Sequence, residues 1–295
     1  MQRRLQKVKT KMAIHAHRRT FELLDGNYQS IHHGRSHDFD DLREYAPGDE
    51  VKDIDWKATA RSTTPLVKRY IASRQHNVIV VVDTGRNMAA TAESGESKED
   101  VAIQTIGILS YLAIKHGDRV AMYAGNAEHT GFTPEGGSEA HLERMLRMLD
   151  DQISLDAPDS DLQHVLEQVA KSVRRRSLVV IVADDLAYTR ELDQVLGRLH
   201  VRHEVLWISI GDADLMARDA KAPEIFGVAG DAPLPDYVRR DKRLMRAFDE
   251  GIAQRRRTLQ QELLSLGVAA ERIPSSDEVI PALFRLLERH RRVRR

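Results

Sequence analysis

The sequence predicts a doubly wound α/β fold, and three observations carry that prediction. Val78–Val82 is a continuous β-branched run and Leu178–Val182 a second apolar run, the texture of strands covered on both faces. Stripes at helical spacing separate and follow these runs. Each run ends on carboxylates, Asp83 after the first and Asp184-Asp185 after the second. In open α/β sheets, ligands sit outside strand ends of this kind.

Taken in order, the first 25 residues have a helical look, with Leu5, Val8, Met12 and Phe21 among basic neighbours. Tyr28 to Lys68 is polar, holds Gly34, Pro47, Gly48 and Pro65, and reads as loops with short strands, such as Leu66–Ile71. After Val78–Val82 come a helix over Val101–Lys115 and a strand over Arg119–Ala124. Leu142, Met145, Leu146 and Leu149 form one helical stripe, and Leu162, Val165, Leu166, Val169 and Val173 form the next. Beyond the Leu178 strand, Leu192, Val195, Leu196 and Leu199 form a helix and Val205–Ile210 a strand. Ala213–Pro235 is rich in Gly, Pro and Asp and reads as an excursion from the sheet. Tyr237–Leu266 reads as a long charged helix and Val268–Ile273 as an edge strand. Asp277–His290 reads as a closing helix with Val279, Leu283, Leu286 and Leu287 inward.

Composition narrows the function classes. The 295 residues are 41% hydrophobic and 31% charged, as in soluble globular proteins. With no cysteine, disulfides, thiolate zinc sites, iron–sulfur clusters and a cysteine nucleophile are excluded. Apolar runs reach about six residues where a membrane span needs roughly 20. The basic start lacks an apolar segment of the secretory kind, so the expected location is cytoplasmic. A formal net charge of zero argues against a body that grips nucleic acid. Charge is uneven locally: Met1–Thr20 has seven Lys/Arg and no acid, and Arg285–Arg295 has six Arg against Glu288. These ends read as solubilising termini or, alternatively, as peripheral contacts to a membrane or nucleic acid.

Several catalytic motifs are missing. There is no Gly-x-x-x-x-Gly-Lys-Ser/Thr loop, no Gly-x-Ser-x-Gly elbow, no His-Glu-x-x-His pair, and no Gly-x-Gly-x-x-Gly after a strand. Two constellations remain. Asp83 and Asp184 or Asp185, with the Ser160 hydroxyl, have the oxygen chemistry for a hard cation such as Mg²⁺. The same acids serve equally well as helix caps or acceptors of loop amides. The second constellation, Asp38 to Arg61, combines Pro47-Gly48-Asp49 turn chemistry with Arg43, Lys57 and Arg61 among acids and a Trp56 able to bury its ring. His32, His33 and His37, and His15 with His17, lack metal-ligand spacing and read as solvated or hydrogen-bonding groups. Arg174–Arg176 suits a helix C-terminus, and Arg255–Arg257 reads as a solvated helix face.

Arg43-Glu44-Tyr45-x-x-Gly48-Asp49, followed by Asp55-Trp56-Lys57 and Arg61, resembles the signature of the domain of unknown function 58 family. The resemblance implies a von Willebrand factor A-like fold over 76–295, preceded over 1–75 by an N-terminal helix and a loop/β extension that holds the signature. It also implies a metal-ion-dependent adhesion site of the form Asp-x-Ser-x-Ser, then Thr, then Asp. Here Asp83, Asn87, Ser160 and Asp184 or Asp185 fall at or near those places, while Gly85 and Asn87 replace both serines. Gly85 offers no side-chain oxygen and Arg86 adds a positive charge, so Mg²⁺ binding is expected to be weak or absent. The family resembles partners of MoxR-type AAA+ ATPases. The implied role is therefore a non-enzymatic adaptor or co-chaperone that links a client protein to such an ATPase. The alternative is a metal-dependent phosphoesterase or nuclease using Asp83, Asp184 and Asp185.

Overall fold

The computed structural model describes residues 4–15, 23–28, 37–46, 49, 54–62, 64–72, 75–185, 189, 191–213 and 241–293. Helix α1 (Arg4–His15) and a short α2 over 23–28 come first. They are followed by β1 (His37–Glu44), a single turn α3 (Trp56–Thr59) and β2 (Leu66–Ala72). β1 and β2 pair antiparallel as a separate two-stranded sheet, with an irregularity between Phe39 and Asp41. β1 is almost wholly polar, so neither alternation nor a β-branched run announces it.

The main sheet takes its strands from β3 (Asn77–Asp83), β4 (Arg119–Gly125), β5 (Thr130–Gly136), β6 (Leu178–Asp184), β7 (Glu204–Ile210) and β8 (Ala269–Ile273). Their spatial order is β5-β4-β3-β6-β7-β8. Every neighbour is parallel except β4 with β5. The chain leaves β3 towards β4 and then crosses back to β6 on the other side, so strand order reverses at the β3–β6 pair. This is the expected doubly wound α/β architecture, a mostly parallel sheet flanked by helices. β5 is an addition to the expected strands. Pro134, two glycines and no apolar alternation hide it, and proline is tolerated there because β5 lies at the edge.

Side chains alternate between two cores. Val78, Val80 and Val82 of β3 face α1, α4 (Lys98–Lys115), α5 (Glu139–Gln152) and the closing helix α9 (Val279–Val293). Ile79 and Val81 face α6 (Leu162–Ser172), α7 (Leu192–Arg202) and α8 (Lys242–Ser265). Trp207, wholly buried in the second core, keeps its indole N–H satisfied by donating to Ser209 Oγ at 3.0 Å. α4 is buried on nearly every side, and α1 approaches it so closely that a Cβ on Gly107 would lie 2.8 Å from Val8 Cγ2.

The described parts of the basic ends lie in helices packed on the body. In α1, Leu5 and Val8 are buried, and Arg4 pairs with Asp100, Glu99 and Asp150. In α9, Val279, Leu283, Leu286 and Leu287 point inward as expected, while Arg285 and Arg289 pair with Glu271. Over their described residues the basic ends are thus packed helices, and Arg4, Arg285 and Arg289 are committed to acids of the chain. α8 begins at Lys242, capped by the Asp241 side chain. Tyr237–Arg240, the 214–235 excursion, His17, His32, His33 and Gly48 lie outside the described residues. Among the described residues no helix is long and apolar enough to cross a membrane.

Candidate functional site

Parallel pairing of β3 with β6 sets their carboxyl ends side by side, with Val82 opposite Val182, and projects Asp83 and Asp184 into one crevice. Asp83 is fully buried. Its Oδ1 accepts the Gly85 N–H at 2.8 Å, a loop-amide bond of the kind expected of strand-end acids. The Ser160 hydroxyl sits beside the same carboxyl, yet neither Asp83 Oδ2 nor Ser160 Oγ makes a hydrogen bond of good geometry. Burial raises the Asp83 pKa to about 6; the Gly85 amide and the Ser160 hydroxyl offset this only in part.

Gly85 has no room for a side chain. A Cβ there would lie 2.3 Å from Ser160 Oγ and 2.5 Å from Ser160 N and Cα. Ser160 therefore fills the space that the first serine of an adhesion site would occupy. The two loops are stitched together by Arg86 N–H donating to Pro158 O at 3.0 Å and by an Arg86–Asp159 ion pair. Arg86 is thus held against Asp159 on the crevice rim. Asn87 presents its main-chain carbonyl to the crevice through Lys98.

Lys98, the first residue of α4, is entirely buried. Its ammonium donates to Asp184 Oδ2 at 2.9 Å and to Asn87 O at 3.3 Å, and pairs closely with Asp212. An ammonium has three donors, and here three acceptors meet it. Burial alone would depress its pKa, but Asp184 and Asp212 outweigh that and raise it, so Lys98 is charged. Asp212 follows β7, so the acids around Lys98 come from consecutive strand ends of the sheet. Burial and the neighbouring Asp184 push the Asp212 pKa up to about 6.

Asp185 points elsewhere. Its Oδ2 accepts Arg272 Nε of β8 at 2.6 Å and pairs with Arg256 of α8 at 2.8 Å. Arg256 is therefore a partner of the strand-end acids, which corrects its reading as part of a solvated face. Arg272 crosses Gly211 so tightly that a Cβ there would lie 2.4 Å from its guanidinium nitrogen.

Of the candidate ligands, the fold thus gathers Asp83, Asn87, Ser160 and Asp184 and turns Asp185 away. The residues present do not fit a divalent ion: the Gly85 place is filled by Ser160, Asp184 holds an ammonium, and Asp185 holds two guanidinium groups. Among the described residues no group of three or more His, Asp and Glu is arranged to hold a metal. Lys98 and Asp212 are the residues missed by sequence reasoning. A lysine in the first turn of a helix opposes the helix dipole, and Gly211-Asp212 follows its strand much as Asp83 follows β3; these were the available signals.

The second constellation builds the two-stranded unit. Arg43 grips Asp49 through both terminal nitrogens at 2.8 and 2.5 Å, and Asp49 also accepts the Ala46 N–H, which closes a turn. Asp55 caps α3 by accepting from Lys57 N–H and Ala58 N–H. Thr59 Oγ1 receives the Leu66 N–H, and Glu44 Oε1 accepts from the Thr64 hydroxyl at 3.5 Å. Trp56 does not bury its ring: it is 65% exposed, and Tyr45, Lys57 and Arg61 are exposed with it.

A family model described as "Protein of unknown function DUF58" matches residues 41–233. Rv1480 of Mycobacterium tuberculosis, an uncharacterized protein, is 29% identical over 218 residues, 72% of this chain and 65% of its own. YeaD of Bacillus subtilis, also uncharacterized, is 28% identical over 166 residues, 55% of this chain and 39% of its own. The chain therefore spans less than two thirds of the length of these relatives. Among solved structures, the conserved hypothetical protein BatB from Bacteroides thetaiotaomicron superposes with a TM-score of 0.45 at 13% identity, covering 73% of this chain and 98% of that one. A von Willebrand factor type A protein from Catenulispora acidiphila gives 0.42 at 11% identity, covering 75% and 43%.

Proposed function

Since the chain belongs to the DUF58 family, we propose that it is a non-enzymatic protein-interaction module, an adaptor or co-chaperone that joins a client protein to a MoxR-type AAA+ ATPase in the cytoplasm. One observation carries this reading: the family signature sorts into residues that hold a small unit in shape and residues left on its outside. Arg43, Asp49 and Asp55 are spent on the turn and the cap, while Trp56, Tyr45, Lys57 and Arg61 remain exposed. A tryptophan held outward on a rigid turn, with tyrosine and cations beside it, has the composition of an interface hot spot. The partner surface it suits is an apolar pocket with acidic flanks. The missing nucleotide loop fits the same division of labour, in which the ATPase supplies the energy. The hydrolytic alternative needs free carboxylates around a metal, and Asp184 and Asp185 are both engaged by cations of the chain.

The test is affinity capture from the native host with wild type and Trp56→Ala. The expected result is recovery of a MoxR-type ATPase with wild type, roughly ten-fold less with Trp56→Ala, and an unchanged melting temperature. Equal recovery by both chains, or no ATPase with wild type, would contradict the proposal.

A further inference from the structure

We propose that the ammonium of Lys98 is the resident cation of the switch-point crevice, engaging Asp184 and Asp212 in place of a divalent ion and making the crevice independent of metal. Nζ touches Asn87 O after β3, Asp184 at the end of β6 and Asp212 after β7, so a single charge ties together the loops of three strands. A dication held by the strand-end acids would need oxygens from two of the same loops, those of Asn87 and Asp184. A lysine is long enough to enter from the helix side, and α4 delivers it from its first residue.

Position makes the assignment more specific. The N-terminus of a helix carries positive partial charge, so a buried lysine in the first turn is disfavoured unless acids close around it. Here Asp184 and Asp212 do so, and Lys98 meets no solvent. With the ammonium in place, a metal would have to displace it or share Asp184 with it. The Gly85–Ser160 contact closes the other side, since the backbone of the 158–161 loop fills the space of the first serine ligand.

The inference stands apart from the adaptor reading and is tested without a partner protein. In the wild-type chain, the Lys98 ammonium gives a slowly exchanging ¹H–¹⁵N signal, assigned by its absence from Lys98→Arg. The expected result is that this signal persists with stoichiometric Mn²⁺, and that calorimetry detects no saturable Mn²⁺ binding. Lys98→Ala, which leaves Asp184 and Asp212 facing an empty space, is expected to show saturable Mn²⁺ binding by the same calorimetry. Its melting temperature should rise when Mn²⁺ is added. Bleaching of the wild-type signal by stoichiometric Mn²⁺, reversed by a chelator, would overturn the proposal. So would a folded Lys98→Ala chain that takes Mn²⁺ no better than wild type. If Lys98→Ala does not fold, the wild-type signal decides alone.

Discussion

Lys98 Nζ lies 2.9 Å from Asp184 Oδ2, with the lysine wholly and the aspartate almost wholly withdrawn from solvent. Ion pairs on a surface contribute roughly 0–1 kcal/mol, because water screens them and holds the charges nearly as well. A buried pair behaves differently when one member is removed, since the other is stranded without solvent. Lys98→Met should therefore lower the unfolding free energy by about 3–5 kcal/mol. Urea denaturation at neutral pH measures this directly. A loss below about 1 kcal/mol would mean that water reaches Asp184 and Asp212 freely.

Asp83 sets a pH dependence of the opposite sense to a typical acid in an ion pair. Burial raises its folded pKa to about 6, above an ordinary value of 3.8. Between those values the folded chain holds a proton that the unfolded chain has released, so stability falls as pH rises through that window. The full penalty, on the order of 3 kcal/mol, applies above the folded pKa. Asp83→Asn keeps an acceptor for the Gly85 N–H and carries no charge to desolvate. It should be more stable than wild type near pH 8, and the advantage should vanish near pH 4. Denaturation curves of both chains at the two pH values check the sign; an Asp83→Asn chain that is less stable near pH 8 would refute it.

Restoring a serine at position 85 should not rebuild a metal site. A Cβ there would meet the Ser160 backbone at 2.5 Å, and the backbone cannot rotate aside as a side chain can. Overpacking of this kind costs about 1–3 kcal/mol. Gly85→Ser, alone or with Asn87→Ser, should lower the melting temperature and gain no saturable Mg²⁺ binding by calorimetry. Gly85→Ser/Ser160→Gly should recover only part of the lost stability, because the hydroxyl is removed while the main-chain N and Cα of residue 160 still meet the new Cβ at 2.5 Å.

Much of this molecule was legible in its sequence, and the remainder has physical reasons for being hidden. Continuous apolar runs gave β3 and β6, and the acids at their ends gave Asp83 and Asp184, because burial on both faces leaves no polar alternation. The inward residues of α9 followed from helical spacing in the same way. β1 escaped because its residues are almost wholly polar, and β5 because an edge strand tolerates proline and glycine. Trp56 is able to bury its ring, yet a one-turn helix on a two-stranded sheet has no core to receive it. Lys98 lies ahead of the helix expected over Val101–Lys115 and drew no reading, and Arg256 was read as part of a solvated face. Which charge turns inward depends on acids far away in sequence, here Asp184, Asp212 and Asp185, and periodicity is blind to such partners.

The account rests on the crevice at the β3–β6 switch point being closed by a charge from within the chain. A crystal soaked in Mn²⁺ and measured at a wavelength where manganese scatters anomalously tests this most directly. The account predicts continuous side-chain density for Lys98 reaching Asp184 and Asp212, with no anomalous peak among Asp83, Ser160 and Asp184. An anomalous peak bridging Asp83 and Asp184, with Lys98 swung out of the crevice, would contradict it.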